Sequence, residues 1–465
     1  MSDSFRVLVV SGKLGDVDGV SLEVDKWIDV LLAQGHEVFT MSGKYGQPLA
    51  AIPDDRQWEL PGLRFDTREQ REFEQLVFPH INKRPRPVSA GQLKEATEQM
   101  EAMGVELAHQ LFDYVREYSI DVIIAENTNA MPMTIAGGLA VHQLATQMRV
   151  ATIFHHHDFW WERSRFSNTR IRNLLNKIMP PVDPGLEHVV ISSYAAHILS
   201  SLKRVSPFVI PNCEDFDNSV SLDDYNRRFR AELGYADNDI LVVQPTRIVP
   251  RKRIEDSIRF LGRFITKFPE YATRVRFIIS LYQGDEPDET YIDSIQSLAE
   301  SHHVPFALIS DRVAARRGTD PSGRLLFTNR DVLANADLVT YLPIWEGFGN
   351  ALLEAIAARV PVVTTTYLVY KTDIKTTGLE NIEIRDSYSE DGTLVIPDDA
   401  LERTKEVLEN REQTREQSER NFARAKQEFG LPVLDARIRR LLTVYGDEIR
   451  ASRQRVAKSK YTYSV

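Results

Sequence analysis

Short apolar runs alternate along the chain with longer stretches in which apolar residues recur every three or four positions. Arg6–Val10 carries the unbroken run Val7–Val10, the pattern of a strand buried on both faces. Gly12–Ser21 is rich in Gly and Asp and reads as a loop. In Leu22–Gln34 the residues Leu22, Val24, Trp27, Ile28, Leu31 and Leu32 follow a helical period, and Gly35 is a natural stop. His36–Met41 reads as a second strand. Further strands are expected at Asp121–Ala125, Val150–His155, His188–Ile191 and Phe208–Ile210, and helices at Ala90–Tyr118, Met133–Gln147 and Tyr194–Leu202. Strands separated by helices predict a parallel sheet covered on both faces.

The alternation breaks in the polar, turn-rich stretch Pro211–Asp223 and then restarts. Strands are expected at Ile240–Gln244, Val275–Leu281, Phe306–Ile309, Leu338–Tyr341 and Val360–Thr364. Helices are expected at Ile254–Phe268, Asp288–His302 and Ala351–Ala358, and the Arg/Glu-rich tail Asn410–Ser452 reads as helical. The fold class is therefore α/β, with two doubly wound Rossmann-like domains facing across a cleft. The first is expected over 1–215 and the second over 216–440, with a C-terminal helix, about 440–465, returning to the first. Ligands of such sheets bind beyond the carboxyl ends of the strands.

Composition narrows the functional class. The chain has 465 residues, 42% hydrophobic and 27% charged, which excludes a disordered protein and allows two cores. The formal charge of −10 argues against a nucleic-acid binder, which needs a basic face. The lone Cys213 permits no intrachain disulfide, and the first residues lack an export pattern, so a cytoplasmic location is expected. No stretch has the length and apolarity of a transmembrane segment. Nothing in the sequence sets an oligomeric state.

Two motifs carry the chemistry. Glu346-Gly347-Phe348-Gly349-Asn350-Ala351-Leu352-Leu353-Glu354 follows an expected strand and opens a helix. Its glycines allow close backbone approach, and the unbonded amides near Gly349–Leu352 suit phosphate oxygens. Glu346 and Glu354 stand at most roughly 12 Å apart if helical, so one carboxylate can reach a sugar and the other a ribose. A pair of solvated glutamates is the bland reading of the two carboxylates alone; their place at a strand-to-helix junction favours the site. Arg247-Ile248-Val249-Pro250-Arg251-Lys252 likewise follows a strand, and its cations can flank a diphosphate; a solvated basic loop is its bland reading.

Together the Glu-x7-Glu and Arg-x4-Lys motifs resemble the retaining glycosyltransferase family 4, whose fold is of GT-B type. The resemblance extends to the glycine loop Gly15-Asp16-Val17-Asp18-Gly19-Val20-Ser21, the pair His157-Asp158 and the segment Ile210-Pro211-Asn212, and spans roughly Arg6 to Val363. It implies that Arg247 and Lys252 neutralise the donor diphosphate. Glu354 would bind the ribose, and Glu346 with Gly347, Phe348, Gly349, Asn350 and Ala351 the donor sugar and phosphates. Gly19 would approach the phosphates, and His157 would sit near the reacting sugar. The chain departs from the pattern at Asn212-Cys213, where the family has asparagine-glycine, and in the triplet His155-His156-His157.

In a strand, alternate side chains point oppositely, so His155 and His157 share a face. A metal at this triplet is disfavoured, because adjacent strand residues do not converge and no second His/Cys cluster completes a set. Asp16 and Asp18 resemble a metal-binding Asp-x-Asp pair, but the Arg247/Lys252 pair already supplies counter-charge, so neither metal nor another cofactor is expected. Phe159, Trp160 and Trp161 fill core or stack on a sugar, core being favoured. Lys13, Glu126, Asn127, His156, Asp158 and Arg163 are candidates for the acceptor side, with a helix cap as the bland reading of Glu126-Asn127-Thr128.

The resulting expectation is a retaining hexosyltransferase. It moves a sugar from a nucleotide-diphosphate donor, of UDP-glucose or GDP-mannose type, to a hydroxyl of a small polar or anionic acceptor, such as a glycerate-like compound or a sugar phosphate. The alternatives are a nucleotide-sugar epimerase or hydrolase of the same fold, and a non-catalytic sugar-nucleotide-binding protein.

Overall fold

Seven parallel strands, β1 (Arg6–Ser11), β2 (Glu37–Ser42), β3 (Gln57–Glu59), β4 (Val122–Glu126), β5 (Thr152–His156), β6 (Glu187–Val190) and β7 (Phe208–Val209), form the sheet of the first unit in the computed structural model. The structure describes residues 4–16, 18–79, 87–281 and 289–459. The strand order is β3-β2-β1-β4-β5-β6-β7, so the winding direction reverses between β1 and β4. Both strands are fully buried over Val7–Val10 and Val122–Ala125, which is why their sequences show no polar alternation. Gly19–Ala33, Ala90–Glu117, Ile135–Thr146 and Ser193–Lys203 are the principal helices of this unit.

The second sheet contains β8 (Ile240–Gln244), β9 (Val275–Ile279), β10 (Phe306–Leu308), β13 (Leu338–Tyr341), β14 (Val362–Thr365) and β15 (Ile382–Ile384). A short antiparallel pair, β11 (Gly318–Thr319) and β12 (Leu325–Leu326), stands apart. Its order, β10-β9-β8-β13-β14-β15, again reverses once, between β8 and β13. Helices Ile254–Lys267, Glu289–Ser301, Asn350–Ala357 and Asp398–Glu409 accompany it. Of the helix expected from Asp288, that first residue lies outside the described residues, as does Val17 of the glycine loop.

Strand and helix positions expected from periodicity are found within one to three residues. The elements that periodicity misses are short or polar. β3 has one large apolar residue, Trp58, and β15 is only Ile-Glu-Ile. Arg68–Val77 is a polar helix held at its start by Thr67, whose side chain accepts from the Gln70 amide. The tail expected as one helical stretch over Asn410–Ser452 is two helices, Arg411–Phe429 and Leu431–Lys458, broken at Gly430 where Pro432 follows; the polar helix Asp398–Glu409 just before it was not expected.

By compactness, one unit holds the chain up to Pro211 together with the stretch from Leu434, and the other holds Asn212–Val433. The last helix is tied into the first unit by polar bonds to strand backbone. Tyr445 Oη accepts from the Thr152 amide (3.1 Å) and donates to the Gly185 carbonyl (2.7 Å), and Ser452 Oγ accepts from the Ala151 amide (2.8 Å). Arg453 pairs with the buried Asp121, whose carboxylate also takes the Arg6 amide (2.8 Å). Among the described residues no helix is long and apolar enough to cross a membrane.

Candidate active site

In the second unit the loops after β8 and β13 leave neighbouring strands at the point where the strand order reverses, the usual ligand position of a doubly wound sheet. The β8 loop carries Arg247 and ends in a 3-10 turn, Pro250–Lys252. Gln244, the last residue of β8, braces it. Its Nε2 donates to the Lys252 carbonyl (2.9 Å) and to Thr246 Oγ1 (3.2 Å), while its Oε1 accepts from Ser257 (2.8 Å). The β13 loop brings Glu346, which is 8% exposed. One of its oxygens, Oε1, accepts from Lys252 Nζ and from Arg251 Nη1 at 3.0 Å. Arg251 is thus a partner of the motif glutamate that spacing did not single out. Arg247 is half-buried on the same loop.

Burial is the largest influence on Lys252 and pulls its pKa down to about 8, with Arg251 and Arg247 acting the same way and Glu346 opposing. The ammonium also lies 5.6 Å from the ring centroid of the buried Tyr341. The result is a cation held close to its titration point, in reach of a carboxylate and two guanidinium groups.

The helix Asn350–Ala357 begins at Gly349, whose φ is +153° and whose added Cβ would stand 2.4 Å from the Tyr367 hydroxyl. Tyr367 Oη donates to the Phe348 carbonyl at 2.6 Å and so fixes the turn. The Gly349 carbonyl already accepts from the amides of Leu352 (3.0 Å) and Leu353 (3.1 Å). The set of available amides expected over Gly349–Leu352 therefore loses Leu352; among the described residues the Asn350 and Ala351 amides carry no bond. The Asn350 side chain accepts from Asn212 (2.7 Å). Glu354, one turn on, accepts from Asn329 Nδ2 (2.9 Å), and Asn329 accepts from Ser280 at the end of β9 (2.6 Å). Asn329 opens a short helix after a weakly patterned segment, so nothing in its spacing marked it.

In the first unit the β1 loop packs against the segment after β2. Gly15, at φ +67°, would place a Cβ 2.0 Å from the Gln47 carbonyl oxygen. The loop is laced to the segment after β2 by Leu14–Lys44, Gly46–Leu14 and Gln47–Gly15 backbone bonds of 2.8–3.1 Å. Its glycine is thus required by loop-on-loop packing. Asp18 caps the helix Gly19–Ala33, accepting from the Val20 (3.0 Å) and Ser21 (3.1 Å) amides. A carboxylate already occupies that helix start, leaving the exposed Gly19 as the backbone candidate there. Lys13 pairs with Asp16 at 2.8 Å.

At the ends of β4 and β5, Glu126, His155 and His157 come together. His155 Nδ1 is 3.0 Å from Glu126 Oε2, and His157 Nε2 contacts Oε1. No second His/Cys cluster was expected beside the histidine run; the residue that joins it is a carboxylate on the neighbouring strand, invisible to spacing along one strand. His155 and His157 do share a face. His156 takes the opposite one, buried against His188 (3.0 Å) and Phe159, away from the other acceptor-side candidates. Burial lowers the pKa of both His156 and His188, the latter to about 4.

Asn127, at φ +54°, accepts from the His157 amide (3.2 Å) and donates to Asp158 (3.5 Å), which is paired with Arg163. The helix cap considered for this segment lies elsewhere: Thr134 caps Ile135–Thr146. Phe159 and Trp160 are core residues, Trp160 donating to the Met179 carbonyl (2.9 Å).

Two comparisons bear on what these arrangements do. The family described as "Glycosyl transferases group 1" matches residues 325–424, the stretch that holds Glu346, the helix start and Glu354. The mannosylglucosylglycerate synthase of Thermotoga maritima is 31% identical over 445 residues, covering 92% of this chain and 98% of that one. The chain belongs to the group 1 glycosyltransferases. It is a hexosyltransferase of GT-B type. The mannosylglucosylglycerate synthase of Petrotoga mobilis is 28% identical, over 81% of this chain and 86% of its own. Among solved structures, the sucrose-phosphate synthase of Thermosynechococcus elongatus superposes with a TM-score of 0.64 at 12% identity, covering 96% of this chain and 100% of that one. Anabaena HepE in complex with UDP-glucose does so at 0.60 and 16%, covering 95% and 100%. At such identities these structures speak for the fold of this glycosyltransferase alone.

Proposed function

We propose that this glycosyltransferase moves a mannosyl or related hexosyl group from a nucleotide-diphosphate sugar to a hydroxyl of a small acceptor bearing a glycerate unit, with retention at the anomeric carbon. The observation that carries the reading is the charge arrangement at the reversal point of the second sheet. Lys252 and Arg251 converge on Glu346, Arg247 shares their loop, and two unbonded amides open the adjacent helix. The name of the two relatives, mannosylglucosylglycerate synthase, supports the mannosyl donor and the glycerate-containing acceptor.

In this reading the diphosphate displaces Glu346 from the cations and is neutralised by Lys252 and Arg247 with the Asn350 and Ala351 amides. Glu346 with the Gly347–Gly349 backbone turns to the sugar hydroxyls, and Glu354, held by Asn329, to the ribose. As the glycosidic bond breaks, charge grows on the leaving diphosphate. The cations then stabilise the transition state more than the bound donor. A leaving phosphate oxygen takes the acceptor's proton on the same face, which yields retention without a side-chain nucleophile. His157 stands near the reacting sugar, and Lys13, Asn127, Asp158 and Arg163 serve the acceptor side. Side-chain cations supply the counter-charge, so the reaction runs without a metal. With a single cysteine, the enzyme works in the cytoplasm.

The test is a thermal-shift panel of UDP-glucose, GDP-mannose and related donors, then transfer to glucosylglycerate with NMR of the product's anomeric signal. A donor that binds raises the melting temperature by mass action. A product of inverted configuration, or turnover of donor at full rate without acceptor, rejects the reading. Activity lost to a chelator and restored by a divalent ion rejects the metal-free mechanism.

A further inference from the structure

The carboxylate of Glu126 is 2% exposed, and each of its oxygens meets a different imidazole: Oε2 that of His155, Oε1 that of His157. Three potential ligand atoms this close raise the question of a cation. The geometry answers it differently. The two rings address separate oxygens of one carboxylate, which is the arrangement of two hydrogen bonds and not of three atoms around one point. Each imidazole that bonds a carboxylate through one nitrogen must carry its proton there, which fixes the tautomer. For His157 the bonded nitrogen is Nε2. Among the described residues nothing hydrogen-bonds its Nδ1, and the residue is 9% exposed, the most open of the three histidines in the run.

The surroundings favour charge on this ring. His157 faces Glu126 from β4, Glu23 from the helix Gly19–Ala33, Asp158 from the following loop and His155 from its own strand. Glu23 is itself paired with Lys26 at 2.6 Å. Burial opposes the charge, yet Glu126, Glu23 and Asp158 outweigh it, and the pKa of His157 lies above the ordinary value of 6.5. Burial opposes the charge of Glu126 as well, but His155 and His157 hold its pKa down to about 2. His155 is fixed from behind by the Trp27 ring at 4.5 Å, so the carboxylate between the two rings has little freedom to turn.

We propose that Glu126 is the positioning residue of His157: it holds the imidazole through Nε2–H, favours the charged ring, and leaves Nδ1, an N–H donor whenever the ring is charged, as the group that meets an oxygen of the bound sugar or of an anionic substrate. Glu126 is thereby removed from direct contact with the acceptor, and His155 becomes the second anchor of its carboxylate. The catalytic consequence rests on the glycosyl-transfer reading; the tautomer and the proton affinity do not.

The test separates the two. Full-length protein with ¹⁵N-labelled histidine is titrated by NMR without substrate, His157 being assigned with His157→Gln. The native ring should show a midpoint above 6.5 and, beyond it, the Nε2–H form. Glu126→Gln keeps the size and an acceptor but removes the charge, and should lower the midpoint by about one unit or more, a tenfold loss of proton affinity. The alkaline limb of kcat for hexosyl transfer should move to lower pH by the same amount, with the donor KM changed less than about threefold. A merely structural glutamate would leave both the midpoint and that limb in place, and either result overturns the proposal. An Nδ1–H tautomer in the native protein overturns it without any variant, so it stays testable if Glu126→Gln does not fold. Zinc chloride added at one equivalent, if it binds at the cluster and raises turnover, overturns it in favour of a metal centre.

Discussion

Lys252 is the residue on which charge, burial and chemistry meet. Its pKa of about 8 means that near this pH about half of the ligand-free molecules lack the ammonium. A diphosphate favours the charged form, so donor binding should draw a proton from solution around pH 8 and none at pH 6, where the group is already charged. Calorimetry of donor binding in buffers of different ionisation enthalpy reads this directly, and Lys252→Met should abolish it. No proton uptake at pH 8 would remove Lys252 from diphosphate binding. The sign for stability is separate. Because the folded pKa lies below the unfolded 10.5, the unfolded chain holds more protons between about 8 and 10.5, and this group's contribution to stability rises with pH over that window. Lys252→Ala should cost on the order of 2–4 kcal/mol in the transfer barrier, read as kcat/KM. Asn329 acts at one remove: its amide holds Glu354 at 2.9 Å. Asn329→Ala should raise the donor KM by about 3- to 10-fold and leave kcat nearly unchanged, the loss of a bond made equally in ground and transition states. An unchanged KM would separate Glu354 from the ribose. Lys252 and Glu354 stood out in sequence because each follows a strand at a spacing that suits a ligand. Arg251, Asn329 and the partnership of Glu126 with two histidines did not, because each depends on which strands are neighbours, and strand order is not written in local periodicity.

Elements were legible in proportion to their apolar content. The buried strands β1, β4, β8 and β13 appear as unbroken apolar runs, and the helix after Gly349 as a run following a glycine pair. β3 and β15, three residues each, and the polar helix Arg68–Val77 carry too little pattern to be seen. Glycine was legible as a need but not as a reason. Gly15 was read only as part of the glycine loop whose Gly19 would approach the phosphates, yet its own close neighbour is the Gln47 carbonyl, a contact between two separate loops. Gly349 is the opposite case, required by the element it starts. A methyl group there would stand 2.4 Å from Tyr367 Oη, on a backbone angle that side chains avoid. Gly349→Ala should therefore destabilise the fold by roughly 1–3 kcal/mol in urea unfolding. Tyr367→Phe removes the obstructing hydroxyl along with its bond to the Phe348 carbonyl. The double variant should be less destabilised than the sum of the two singles. Strict additivity would mean that the turn is not held by this contact.

At the scale of the whole molecule, the chain does not finish where its second sheet ends. After Gly430 it enters a helix whose stretch from Leu434 belongs with the first unit, so residues more than 200 positions apart share a core. A helical tail was readable from composition, but its attachment was not: the bonds are made by single polar side chains, Tyr445, Ser452 and Arg453, on a helix whose pattern resembles any amphipathic one. Tyr445 is the most informative of them. It satisfies a strand amide at Thr152 and a carbonyl at Gly185. Tyr445→Phe keeps the ring and its packing while leaving these two groups unbonded, at a cost of about 1–3 kcal/mol. Trp27, Trp58, Trp160 and Trp161 lie in the first unit and Trp345 in the second, so tryptophan fluorescence reports mainly on the unit that the helix joins. The fluorescence midpoint in urea should fall in the variant, while donor-induced stabilisation, which on the proposed reading acts through the second unit, should keep its size. A midpoint unmoved by Tyr445→Phe would show that the helix is held by its apolar face alone, and that the polar anchors contribute register without stability.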